Sequence, residues 1–260
     1  MQCDFRASIE CLAENGVHQT AVWIEKLDEI GLREAVQVLQ GCDVKVNALC
    51  PGGFFTGVHS ASPRETLDRN QRWLDQAVAI GADSLVVITG GLREGERDLL
   101  TARERALEGT RMLLGPARDA GIKLALEPLH PMVCGLRSVI STVSEALDML
   151  DDLNADDVMG LAIDTYAVWW DNDLPNQLER AGSRLLHLHV SDWLVDTQDV
   201  RLDRGMPGDG LIPNRRIRSW MEKVGFKGAV EVEIFSGKDW WQRDADEVVK
   251  TIIARKDDYL

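Results

Sequence analysis

No stretch of this 260-residue sequence stays apolar for the length of a membrane span, and its first ten residues carry neither an apolar core nor a small-residue cleavage site. Insertion into a membrane and secretion are not expected, and the chain reads as cytoplasmic. Cysteine is scarce: five residues, Cys3, Cys11, Cys42, Cys50 and Cys134, odd in number and widely spaced, which fits reduced thiols rather than a disulfide framework or a zinc clip. Positive charge is short as well. With 29 Lys and Arg against 43 Asp and Glu the net charge is −14, and no basic stripe interleaved with aromatics offsets it, so nucleic acid is not an expected partner. The same balance disfavours a phosphorylated substrate, although one local Arg or Lys could still hold a phosphate. No Pro/Gly/Ser linker or change of composition divides the chain, so a single domain over 1–260 is expected.

What is present is a regular alternation of apolar strands and amphipathic helices. Asp4 to Gly16 reads as a helix, with Asp4 as N-cap and Gly16 as its stop. Strands are expected at 18–23, 44–50 (closed by Pro51-Gly52-Gly53), 84–89, 123–128, 159–164, 185–190 and 229–234. Helices are expected at 32–39, 62–80, 99–120, 141–152, 174–181, 213–224 and 244–255. Buried strands separated by helices argue an α/β fold with a parallel sheet and helices outside it, and the chain length suits a (β/α)8 TIM barrel. Seven strands are one short of that. Only Met1, Gln2 and Cys3 precede the first helix, so the first strand is expected to be missing or truncated, with the seam between first and last strands open or covered by a partner.

Four of these strands end in chemistry-bearing residues. In Leu185-Leu186-His187-Leu188-His189-Val190 the two imidazoles share one face, opposite Leu186, Leu188 and Val190. The other three are Leu124-Ala125-Leu126-Glu127, Leu161-Ala162-Ile163-Asp164 and Val230-Glu231-Val232-Glu233. In a barrel, the C-terminal ends of the strands line the mouth, where Glu127, Asp164, His189 and Glu233 would meet. Any one carboxylate alone could equally cap a helix or pair with an arginine. Three around one centre repel each other, and with an imidazole they make a site for one divalent cation, Mn, Mg or Co in preference to Zn. His187 is expected in the core or in support of the ligands. Beyond the strand ends, His130, Arg204 in the turn with Pro207, Gly208 and Gly210, and the flat faces of Trp169, Trp170 and Trp193 are candidate substrate contacts.

The motifs Leu-Ala-Leu-Glu127-Pro-Leu-His130, Leu-Ala-Ile-Asp164-Thr-Tyr, His187-Leu-His189-Val-Ser-Asp192, Arg204-Gly-Met-Pro207-Gly208-Asp-Gly210 and Val-Glu-Val-Glu233-Ile-Phe-Ser resemble the sugar phosphate isomerase/epimerase family of xylose isomerase-like TIM barrels. The resemblance covers nearly the whole chain from the first helix on. It implies that Glu127, Asp164, His189 and Glu233 hold the metal, that Glu127 and Glu233 are also the acid/base pair, and that Arg204 contacts the substrate; His130, His187, Trp169 and Trp193 are the further candidate substrate contacts read from the residues themselves.

The function so implied is a metal-dependent isomerase or epimerase acting on a sugar or polyol ketone, through proton abstraction next to a carbonyl and a metal-stabilised enediolate. In one departure, Ala167 stands three residues after Asp164, where epimerases of this superfamily usually place a substrate-binding histidine. A lyase on the same scaffold therefore stays open, dehydrating an inosose or eliminating from a 3-keto-glycoside. So does a catalytically impaired barrel that binds a partner. The apurinic-site endonuclease branch needs a His-rich multi-zinc centre and a cationic face, which five histidines and a net charge of −14 do not provide. By analogy a homo-oligomer is expected, with Trp240-Trp241 as a contact.

Overall fold

A computed structural model describes residues 3–60 and 62–260 of the chain. In chain order the elements are α1 (Phe5–Glu14), β1 (Gln19–Trp23), α2 (Ile24–Ile30), α3 (Leu32–Gly41), β2 (Lys45–Gly53), α4 (Pro63–Ala79), β3 (Ser84–Ile88), α5 (Leu99–Ala120), β4 (Lys123–Leu126), α6 (Val143–Leu153), β5 (Met159–Asp164), α7 (Thr165–Val168), α8 (Leu174–Ala181), β6 (Leu185–Val190), β7 (Asp192–Trp193), β8 (Arg204–Gly205), α9 (Asn214–Lys223), β9 (Val230–Val232) and α10 (Ala245–Tyr259). Helix starts follow capping chemistry. Asp4 accepts from Ala7 N, Ser62 accepts from Glu65 N just before Pro63, and Thr142 with Glu145 forms a reciprocal capping box.

Seven strands pair in parallel in the order β1-β2-β3-β4-β5-β6-β9, a nearly closed barrel with helices between successive strands. Alternation along each strand sorts the side chains into two layers. Leu85, Val87, Leu124, Leu126, Leu161, Ile163, Leu188 and Val190 join the large core shared with helix residues such as Leu74, Leu113, Leu147 and Ile217. Burying one such side chain contributes roughly 1.5–3 kcal/mol. The opposite face is lined by Ala48, Cys50, Val86, Ala125 and Ala162, a separate small cluster. These short side chains leave space inside the barrel for the longer polar ones.

Three details depart from the sequence reading. β2 does not stop at Pro51 but runs to Gly53, and the buried Asn70 side chain takes over the lost ladder contacts, accepting from Gly53 N and donating to Gly53 O, both at 2.8 Å. Gly53 sits at φ +92, and a Cβ there would lie 2.3 Å from Ile88 O. In β6 the register slips at Leu186, so that Leu161 pairs with Leu185 but Ala162 pairs with His187. Leu186 therefore packs against the inner alanines instead of lying with Leu188, and Gly160 makes room for it. Finally, Trp240 is not a surface contact. It is buried, donates Nε1–H to Asp209 Oδ2 at 2.9 Å and carries the Arg243 guanidinium over its ring at 3.9 Å.

No described strand precedes α1, and Met1 and Gln2 lie outside the described residues. Between the edges of β1 and β9 a cleft of about 820 Å³ opens, walled by Leu12, Val17, Val249 and Ile252. The five cysteines are all free, and no described helix is long and apolar enough to cross a membrane.

Candidate active site

The barrel mouth gathers the strand-end residues that the alternation aims inward. Glu127 follows β4 directly, Asp164 ends β5, His189 stands opposite it in β6, and Glu233 follows β9. Glu127, His189 and Glu233 each present a ligand-capable atom within 4.8 Å of the other two. His189 Nδ1 lies 2.9 Å from Glu127 Oε1. Asp164 stands just outside that trio, tied to it by Arg204, whose Nη1 donates to Asp164 Oδ2 and to Glu233 Oε2, each at 3.0 Å. All four, with Arg204, line one cavity of about 30 Å³, the size of a single water or ion.

Burial and crowding set the electrostatics. Burial first, and then the neighbouring Glu233, push the Asp164 carboxyl up against the pull of Arg204. Glu233 is also raised, by burial and by Glu127 close to it, again against Arg204. Burial works against charge on His189, but the hydrogen bond to Glu127 and the carboxylates of Glu233 and Glu231 prevail and push it up to about 10. Three carboxylates are thus countered by an imidazolium and a guanidinium, which occupy the place of a cation. His189 Nε2 is buried without a hydrogen-bond partner among the described residues. The donor set of three carboxylates and one imidazole is of a kind that would suit a divalent ion.

A layer of aromatic rings covers the mouth. Trp193 stacks between His130 and Tyr166, at 4.9 Å from each, with Trp169 tilted against it at 5.9 Å. Burial, then the nearby Arg204, lowers His130 to about 4, so its ring is neutral at ordinary pH. The guanidinium of Arg204 is sandwiched between Tyr166 at 4.4 Å and Phe235 at 4.7 Å. Its loop is fixed by Asp192, whose carboxylate accepts from the backbone N–H groups of Trp193, Gly208 and Ile212.

His187 and Ala167 lie away from the mouth. His187 is not at the mouth; it sits one layer deeper, with Nε2 2.6 Å from Ser84 Oγ and Nδ1 3.3 Å from Glu231 Oε1. This matches a core or support role and separates it from the other candidate substrate contacts. Ala167 is buried within the large core and does not line the 30 Å³ cavity, so no gap at the mouth corresponds to an absent histidine. Conversely, the cavity wall includes Trp23, Arg137 and Phe235, which the sequence reading passed over. Trp23 and Phe235 each extend a recognised strand, so continuing the inward alternation would have found them. Arg137 lies in a loop with no spacing signal.

Comparison with known proteins places this arrangement. A sequence model of the family described as xylose isomerase-like TIM barrel matches residues 9–252. The crystal structure of a Sinorhizobium meliloti 1021 protein superposes with a TM-score of 0.94 and 43% identity, over 99% of this chain and 94% of that one. An inosose isomerase of Halalkalibacterium halodurans is 26% identical over 87% of this chain and 79% of its own length. A zinc-bound structure of the IolI protein shares the fold, with a TM-score of 0.83 at 19% identity over 99% of this chain and 93% of that one.

Proposed function

The chain belongs to the xylose isomerase-like TIM barrel family, and on that premise we propose that it is a divalent-metal-dependent isomerase or epimerase of a sugar or polyol ketone. One observation carries the reading: Glu127, His189 and Glu233 offer ligand atoms within 4.8 Å of one another, around a cavity that Asp164 also lines. Glu127, Asp164, His189 and Glu233 hold the ion. When bound, it polarises a substrate carbonyl and offsets the negative charge that grows as the neighbouring carbon loses its proton.

The rest is the work of the chain's own side chains. Glu127 and Glu233 stand on well-separated strands facing one cavity, so one can take a proton from a carbon next to the carbonyl while the other returns one. Arg204, held between Tyr166 and Phe235, presents fixed donors to substrate oxygens once released from the carboxylates. The stacked rings of His130, Trp193 and Tyr166 give an apolar sugar face a surface to lie on. An inosose isomerase among the relatives supports a polyol ketone as substrate.

The test is a screen of ketoses and inososes with added Mn in deuterium oxide. Deuterium is expected at a carbon next to the carbonyl, and the exchange is expected to vanish in Glu127→Gln and Glu233→Gln. Turnover with no solvent deuterium in substrate or product would refute the reading. Loss of water or of a larger group from the product would redirect it to elimination, which shares the first proton abstraction.

A further inference from the structure

At the mouth, Arg137 carries a charge that no described side chain pairs with directly. It is half-buried and lines the same cavity as Glu127, Asp164, His189, Glu233 and Arg204. Yet its guanidinium has no hydrogen bond or ion pair with any described residue. The contrast with other partly buried arginines is direct: Arg103 pairs with Glu145, Arg105 with Glu96, Arg184 with Asp151 and Arg255 with Asp209. In a chain with 43 acidic residues, an enclosed arginine without a carboxylate is not for want of partners. Its surroundings are unfavourable to it: burial, then Arg201, disfavour its charge against the pull of Glu127, with Arg204 adding to the repulsion. A half-buried cation placed beside two others is costly unless something anionic arrives.

The loop beneath Arg137 is built to hold it there. Its own N–H donates to Val133 O at 2.9 Å, Gly135 N donates to Ser138 O at 2.7 Å, and Leu92 N donates to Gly135 O at 2.7 Å. The next residue, Ser138, is fully buried, with Oγ 2.9 Å from Thr89 Oγ1 and donating to Ile140 O at 2.8 Å. The head group is therefore carried on a fixed base, and placing it costs no loop ordering when a ligand binds.

From this geometry we infer that the substrate carries a carboxylate, received by Arg137 at the mouth, and that the ligand class is a keto sugar acid in place of a neutral ketose. The inference rests on the metal-dependent reading above. Arg204 is engaged by Asp164 and Glu233, so the unpaired Arg137 guanidinium is the charge left at the cavity wall to match one monoanionic group. A planar carboxylate also suits the two-pronged donation of a guanidinium.

The test is calorimetric binding to the Mn-loaded full chain of three ketoses that differ only at the terminal carbon: D-fructose, D-fructuronate and D-fructose 6-phosphate. Fructuronate is expected to bind about tenfold more tightly than fructose, with an affinity that falls as salt rises. Arg137→Met should remove about tenfold of fructuronate affinity and leave fructose within about twofold; Arg137→Lys, which keeps the charge and the fold, should keep part of the preference. Equal binding of fructose and fructuronate, no binding of either, or an equal loss for both in Arg137→Met would overturn the inference. Tighter binding of the phosphate than of fructuronate would overturn the carboxylate assignment and make the group a phosphate. Binding is read without turnover. A chain that selects fructuronate through Arg137 but exchanges no deuterium would refute the isomerase reading alone.

Discussion

Strand β6 carries His187 and His189, β9 and the residue after it carry Glu231 and Glu233, and the two pairs build two layers of unlike character. In the deeper layer one carboxylate faces one imidazole, and the imidazole also meets Ser84. Although burial opposes it, contact with His187 and then the charge on His189 hold Glu231 below the usual carboxylate range. At the rim the same strand presents Glu233 beside Glu127 and near Asp164, and there burial and crowding push the carboxyl up. Two glutamates two residues apart thus shift in opposite directions. The deeper layer, where His187, His189 and Glu231 also bring ligand-capable atoms within 4.8 Å of one another, sets one carboxylate against two imidazoles; the rim gathers three carboxylates around a small space and is the better suited to a cation.

The comparison can be broken most forcefully at the rim. Glu127→Gln and Glu233→Gln are each expected to lower the exchange rate about 10³-fold, the usual worth of a positioned acid or base, with little change in melting temperature. In the deeper layer the expectation reverses. His187→Leu leaves the buried Glu231 carboxylate without its imidazole partner and the Ser84 hydroxyl with only Asn47 O, and should cost about 3 kcal/mol of stability in thermal or urea unfolding, while Mn still binds.

A third effect is one of pH. The metal-free His189 holds its proton up to about 10, whereas a ligand must be neutral, so protons compete with the ion. Mn affinity should rise about tenfold per unit between roughly pH 7 and 9, read by competition with a chelator dye. In the metal-free chain the same proton stabilises the fold fully below about pH 6.5, and its contribution fades as pH climbs through about 10. The smallest effect concerns Arg204. It stands in for the cation, so Arg204→Met should tighten Mn binding by severalfold, about 1 kcal/mol, even as it weakens substrate binding.

Much of this was legible in the chain because both of its signals are local. Period-2 apolar strands ending in a single carboxylate or imidazole define the barrel and its rim, and β5 and β6 fall where the pattern puts them. What escaped depends on distant contacts. α2 follows Trp23 with no side-chain cap, and α7 is a single turn begun by Asp164 itself. β2 continues past Pro51 only because Asn70 from α4 satisfies Gly53. Trp240 reads as a surface contact until Asp209 and Arg243 are seen around it. Arg204's hold on Asp164 and Glu233 spans 40 and 29 residues, and no spacing rule reaches that far.

The central claim is that the rim, and not the layer beneath it, is the cation site, and equilibrium dialysis against Mn tests it most directly. The wild-type chain and His187→Leu should each retain one ion, and Glu127→Gln combined with Glu233→Gln should retain none. A wild-type chain that binds no Mn at millimolar concentration, or a rim double variant that binds it as well as the wild type, would contradict the account.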